Sequence, residues 1–359
     1  MNCFCITVLS AAALLCAAAC SAGKHSANKG DEAKVQAEMF IKSKSPQEGF
    51  IYHEAEGKQF YIKPVTEQTF YPGEDSYNLM HHHGVAFESE LMAYRIYFDK
   101  KQTVDVYAKR TPGLELAACK WYPTDEQLAQ GFGDDVLRVS GTIGAGSCKP
   151  YYDGKMQHFD DVAARKQRIV ENGPQRIVCE MEDSLWLAPD GRRYNITTRY
   201  TLYAGHRDVQ VDVYLSVPEP ISMPDSLPQL CTGVQKVGKD CHLGTFYSTR
   251  IHKTVTSWGT DFPVNDTIKY ARETVGLAVC VLWPYAGRVT SDKRNSLILL
   301  KPQPVPENSY AILDSPYPNN VFHARYYLTV VAQKENDPPC TDTEGFTNFV
   351  KNWIITLLL

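Results

Sequence analysis

The sequence predicts an all-β chain, a large two-sheet β-sandwich with few short helices, and three observations predict it. Short apolar or alternating runs recur along most of the chain between turn signals. The segment 207–215 alternates cleanly, with Val209, Val211, Val213 and Leu215 on one side and Asp208, Gln210, Asp212 and Tyr214 on the other. Helical signals are confined to residues 124–128, where Thr124 caps and Gln127 follows three positions later, and to residues 346–359. No internal repeat is visible, and a single domain over residues 47–359 is expected.

Residues 1–20 read as an export leader. Ile6 to Ala19 is almost wholly apolar and too short to span a bilayer. Ala17-Ala18-Ala19 leads into Cys20, which fits lipidation of Cys20 in a lipobox, while ordinary cleavage after a small residue fits the same letters. Residues 21–46 read as a polar tether. This predicts a lipoprotein of the periplasm or outer membrane of a Gram-negative bacterium, touching membrane only through its lipid. A formal charge of −4 gives no sign of a nucleic-acid partner. Of eleven cysteines, Cys3, Cys5, Cys16 and Cys20 fall in the leader. The others show no C-x-x-C pair. Cys179 and Cys280 sit in apolar runs as buried thiols, and Cys231 and Cys241 flank a loop that a disulfide can close.

The remaining elements follow in order. Phe50-Ile51-Tyr52 and Phe60-Tyr61-Ile62 are short strand signals separated by Glu56-Gly57. Residues 91–98 and 103–108 form a hairpin across Asp99-Lys100-Lys101-Gln102. Residues 131–154 carry six glycines and little periodicity, the pattern of a long structured loop. Residues 176–187, 193–203 and 207–215 form a meander, with Asp190-Gly191 as a hairpin turn. Further strands are expected at 245–251, 276–283, 296–300 and 321–332. The helix at 346–359 ends in Ile354-Ile355-Thr356-Leu357-Leu358-Leu359, too apolar to be left free, and docking on the sheet is expected.

Chemistry concentrates in Met80-His81-His82-His83-Gly84-Val85-Ala86-Phe87-Glu88-Ser89-Glu90, which holds three of the ten histidines. An extended chain places His82, Glu88 and Glu90 on one face and His81 and His83 on the other, although Gly84 invites a bend. The spacing is not that of a metal motif, so no metal or other cofactor is expected. His82 or His83 is the expected acid or base. A second row, His323, Arg325 and Tyr327, shares one strand face and suits carboxylate recognition, as Arg199 does on the strand at 193–203. A solvated outer face explains the first row equally simply and is the better reading of the Arg199 strand. Lys155 and His158, with Tyr151 and Tyr152, close the glycine-rich loop and offer stacking beside an acid or base. There is no phosphate loop and no G-x-S-x-G element.

The stretch from Met80 to Glu90, continued by Leu91-Met92-Ala93-Tyr94-Arg95-Ile96-Tyr97-Phe98 and joined by Arg207-Asp208-Val209-Gln210-Val211-Asp212-Val213, resembles the DUF4861 family over roughly residues 48–350. That resemblance implies exported proteins of polysaccharide-degrading bacteria with a supersandwich fold of the galactose-mutarotase-like kind. It implies a carbon–oxygen lyase, an oligosaccharide dehydratase of ulvan breakdown that removes water from a terminal uronic acid and leaves a 4,5-unsaturated sugar. The partner is then a uronic-acid-containing oligosaccharide. The family supplies no catalytic residues to carry over. Elimination across C4–C5 needs the uronate charge neutralised, a base at C5 and an acid at the departing hydroxyl. His82 or His83 suits the base or acid, Arg325 or Arg95 the carboxylate, and Tyr327 and His323 assist, with Glu88, Glu90, His158, Lys155 and Arg199 as further contacts. A polysaccharide lyase, a mutarotase-like epimerase and a non-catalytic glycan-binding lipoprotein are the alternatives.

Overall fold

The computed structural model describes residues 34–55, 57–218, 226–248, 250–264, 271–305 and 321–359. The leader and Cys20 lie outside them. Among the described residues, a ten-stranded antiparallel sheet packs against a layer of two five-stranded sheets, and a three-stranded sheet flanks that layer. The chain is an all-β sandwich, as its alternating pattern predicts.

The meander forms the middle of the large sheet as Arg176–Leu187, Arg193–Tyr203 and Val209–Ser216. The long strand Val321–Ala332 pairs next to Val209–Ser216, which sets Asp212 opposite Arg325 and Tyr214 opposite His323. Inward-facing Val209, Val211, Val213 and Leu215 share one buried cluster with Val85, Phe87, Ile96 and Val106 of one small sheet and with Leu230, Val234 and Ile298 of the other. Each such side chain taken from water stabilises the fold by about 1.5–3 kcal/mol. The alternate residues of these strands face outward.

The first five-stranded sheet runs Val35–Glu38, Gly84–Ser89, Met92–Tyr97, Val104–Ala108 and Asp134–Asp135. Its hairpin sets Arg95 opposite Asp105. The second sheet is reached through the glycine-rich loop, where Gly144 bridges Val104 and Ala145 bridges Val234. A Cβ at Gly144 would lie 2.4 Å from the Val104 carbonyl oxygen, so only glycine lets the two sheets join there.

The segment read as a tether ends earlier than expected. Val35–Glu38 pairs with Gly84–Ser89, and Phe40–Ser43 with Lys58–Pro64, because alternate residues Val35, Ala37 and Met39 reach the core. The histidines depart from the extended reading too. Only Gly84–Ser89 is a strand, and His81–His83 form a 3₁₀ turn ahead of it. Cys231 and Cys241 are both free thiols, since Cys231 is buried inside Leu230–Gln235, while Cys179 and Cys280 are buried as expected.

Both expected helices form. Asp125–Ala129 carries the complete Thr124/Gln127 capping box. Thr343–Leu358 is capped by Asp342, whose side chain accepts from the Gly345 amide at 2.7 Å. Its Phe346, Val350, Trp353 and Ile354 pack on Trp258, Ala278, Cys280 and Val331 of the large sheet. No helix among the described residues is long and apolar enough to cross a membrane.

Candidate active site

Gly84 explains why the histidines turn. A Cβ there would sit 2.0 Å from the Ile96 carbonyl oxygen, so the strand crosses its neighbour at a glycine and the preceding residues fold back. His82 and His83 take left-handed backbone angles, φ 41° and 62°. Such residues cost of order 1–3 kcal/mol each and gather where function requires them. Trp121 and Ser140, at φ 73° and 46°, are strained in the same neighbourhood.

The turn separates the roles of the three rings. His81 is buried, its Nε2 has no partner, and burial holds the ring neutral. His82 has both nitrogens occupied, Nδ1 by the Gly84 carbonyl at 3.0 Å and Nε2 by Glu38 at 3.2 Å, so it positions the turn. His83 differs. Its Nδ1 donates to the Tyr77 carbonyl at 2.7 Å and its ring stacks on Tyr77 at 3.8 Å. Burial pushes its pKa down to about 3, against a smaller upward effect of the Tyr77 hydrogen bond. With Nδ1 as the donor, Nε2 of this neutral ring is the lone-pair nitrogen.

His83 lines a cavity of about 790 Å³ on the outer side of the first five-stranded sheet, a volume typical of ligand sites. At its base lies Arg95. Its Nη2 reaches Asp105 at 2.5 Å, the Tyr97 hydroxyl at 2.8 Å and Asp135 at 3.1 Å, and its Nη1 reaches the Tyr122 hydroxyl at 3.2 Å. The guanidinium lies between the rings of Tyr97 and Trp121, 4.7 and 4.4 Å from their centroids. Two carboxylates thus share one buried cation. Burial raises both carboxyl pKa values, Asp135 the further because Asp105 repels its charge. Lys101, Arg138, Lys236, Lys239, Lys293 and Arg294 also line the cavity, and with Asp261 and the Asp105–Asp135 pair they leave more cations than carboxylates in the lining.

A second cavity of about 990 Å³ lies across the turn beneath the three-stranded sheet, and His83 and Tyr122 line both. Among the described residues, no cluster of three or more histidine, cysteine or carboxylate side chains is placed to hold a metal ion.

Of the residues expected from sequence, His83 and Arg95 meet in the cavity, but Arg95 is taken up by Asp105 and Asp135 instead of facing a substrate carboxylate. Glu88 is not a substrate contact. It is fully buried, bonded to Lys109 at 2.5 Å and to the amides of Glu115 and Leu116. Glu90 accepts from the Gly205 amide at 2.7 Å and ties two loops. Lys155 is exposed on a short hairpin away from both cavities. His158 is half-buried outside them, its pKa pushed to about 4 by burial. Arg199 pairs with Glu180 at 2.5 Å. His323, Arg325 and Tyr327 do share a face, but on the large sheet's outer side, away from the histidine turn. Residues missed at first are Asp105, Asp135 and Tyr97. The hairpin register would have paired Asp105 with Arg95, whereas Asp135 arrives from an irregular loop without a local signal.

No curated protein matches the chain. Among solved structures it is similar to a protein assigned as an aldose 1-epimerase from Klebsiella pneumoniae subsp. pneumoniae, at 8% identity and a TM-score of 0.35, over 76% of this chain and 83% of that one. It is also similar to a galactose mutarotase related enzyme from Lactobacillus acidophilus, at 10% identity and a TM-score of 0.28, over 68% of this chain and 95% of the other. The family model described as Domain of unknown function (DUF4861) matches residues 17–357, and the chain belongs to that family.

Proposed function

We propose that the chain is a carbon–oxygen lyase that removes water from a terminal uronic acid of an oligosaccharide, and that the reaction takes place in the cavity at His83. One observation carries this reading. A neutral histidine with a fixed tautomer and a buried carboxyl pair whose pKa values are raised line one cavity, in a lining with more cations than carboxylates. That is a base, an acid and a lining that favours an anion.

The roles follow from the side chains. Lys101, in the lining beside Tyr77, offsets the uronate charge and makes the C5 proton acidic enough to remove. His83 Nε2 takes that proton, the electron pair forms the C4–C5 double bond, and the C4–O bond breaks. The proton held by the Asp105–Asp135 pair goes to the departing hydroxyl, which leaves as water. His83 then returns its proton, through solvent, to the carboxyl pair. Arg95 fixes both carboxyls and Tyr97, and it is a positioning residue. The export leader read in residues 1–20 supports placing the reaction in the periplasm or at the outer membrane.

Incubation with saturated uronate-terminated oligosaccharides tests the proposal. Ultraviolet absorbance of the conjugated product should rise while the product mass falls by one water. Chain shortening would identify a polysaccharide lyase, and turnover without a mass change an epimerase. Binding without turnover would leave a glycan-binding protein.

A further inference from the structure

Two histidines that the proposed reaction does not use meet on the other side of the histidine turn. His53 stands on Ile51–Ala55, an edge strand of the three-stranded sheet, and His81 opens the turn. Their ring centroids are 4.9 Å apart, with the planes at 84°. Both Nε2 atoms are buried, and among the described residues neither has a hydrogen-bond partner. Buried polar atoms are nearly always satisfied, so two orphans in adjoining rings point to a shared ligand.

The state of the rings narrows what that ligand is. The His81 ring donates to the Lys120 backbone carbonyl, and because Nε2 is unpartnered the donor is Nδ1. Nε2 is then the lone-pair nitrogen of a neutral ring. His53 is half-buried, and burial lowers its pKa as well, so it also presents a neutral imidazole. Anchoring one ring nitrogen on a backbone carbonyl is how proteins orient a histidine that ligates metal. The spacing agrees. Two imidazoles bound at about 2.0–2.1 Å to a tetrahedral ion have ring centroids about 5 Å apart. His82 takes no part, because its Nδ1 meets the Gly84 carbonyl and its Nε2 meets Glu38. Two protein ligands remain, in keeping with the lack of any three-ligand cluster among the described residues. Phe60 closes one side, its ring centroid 5.4 Å from that of either histidine. The cavity of about 990 Å³ that His81 lines leaves room for water to complete the coordination shell. Lys42 and Lys120 lie close enough to act on these rings and oppose a cation, so binding is weaker than at a four-ligand site.

We propose that His53 and His81 together hold a divalent transition-metal ion of the zinc type, with water in its remaining positions. Imidazole nitrogen suits such an ion, whereas Mg²⁺ and Ca²⁺ take oxygen ligands. The ion ties the edge strand of the three-stranded sheet to the turn that carries His83. It is not a reactant, and the site stands whatever reaction the first cavity performs.

Equilibrium dialysis of the full chain against Zn²⁺, after stripping with a chelator, tests it. The wild type should retain about one equivalent that His53→Ala lacks and that His242→Ala, at an exposed histidine, keeps. Zn²⁺ should also raise the thermal midpoint of the wild type and not that of His53→Ala. Equal uptake, or an equal rise, in the wild type and a folded His53→Ala overturns the proposal. No uptake by the wild type overturns it too, and would mean that water satisfies both nitrogens. If His53→Ala fails to fold, wild-type crystals soaked in Zn²⁺ decide. An anomalous peak within bonding distance of both Nε2 atoms supports the site, and a map without that peak overturns it.

Discussion

Arg95 and Arg325 stand on opposite outer faces of one sandwich, each on a strand next to an aspartate, and they do different things. Arg95 is 3% exposed and meets two carboxylates, two phenols and two aromatic faces, so its charge is used entirely inside the protein. Arg325 has one carboxylate, reached through Nε, and keeps its outer edge in solvent. The lesson is about which charge is in excess. Beside Arg95 there is one carboxylate too many, so both carboxyl pKa values are raised and the pair can serve as the acid of the proposed reaction. Beside Arg325 a single buried carboxylate, Asp212, meets the cation together with the His323 and Gln210 donors, so no such excess arises.

The largest effect separates chemistry from scaffolding within the histidine turn. His83→Asn keeps a residue that tolerates the left-handed backbone and removes the proposed base. Steady-state turnover of a uronate oligosaccharide should fall by about 10²–10⁴-fold with the fold retained. An undiminished rate would remove His83 from the mechanism.

The two arginines should then part company in stability. Arg95→Met strands Asp105 and Asp135 without their cation and should destabilise by about 3–5 kcal/mol in urea unfolding. Glu88→Ala, which strands buried Lys109, should cost about as much. Arg325→Gln leaves buried Asp212 with its His323 and Gln210 donors and should cost less, about 1–3 kcal/mol. Equal losses at Arg95 and Arg325 would mean that both are structural clamps.

A smaller effect depends on pH. The folded His83 ring takes a proton only near pH 3, and the unfolded one near its ordinary 6.5. Between those values the unfolded chain binds more protons, so stability is lost as pH falls through that window and is unaffected above it. His158 acts in the same direction between 6.5 and about 4. Urea midpoints should therefore drop from pH 6.5 to 4, and His83→Asn should flatten part of that slope. The acid limb of the pH–rate profile should likewise lie below the usual histidine range. A limb centred near 6.5 would show that a different group is the base.

The smallest effects belong to Lys155 and Glu90, which touch neither site. Lys155→Ala should change stability by no more than about 0.5 kcal/mol and leave turnover unchanged. Glu90→Ala loses one loop hydrogen bond, worth about 1 kcal/mol, with the same activity.

Local pattern alone determined the sandwich class, the meander, the capping of Asp125–Ala129 and the docking of Thr343–Leu358. Period-two alternation, turn residues and caps act over a few positions, so they can be read from neighbours in the chain. The same pattern placed His323, Arg325 and Tyr327 on one face. Tertiary structure decided what those residues meet. Asp135 reaches Arg95 from 40 positions away, and Asp212 reaches His323 from 111, contacts set by strand order and loop path, which no local window contains. It also turned the triple histidine from a strand into a 3₁₀ turn, because the close approach of Gly84 to Ile96 exists only once two strands have paired. The sequence held the right chemical groups, and the packing chose which of them face a ligand.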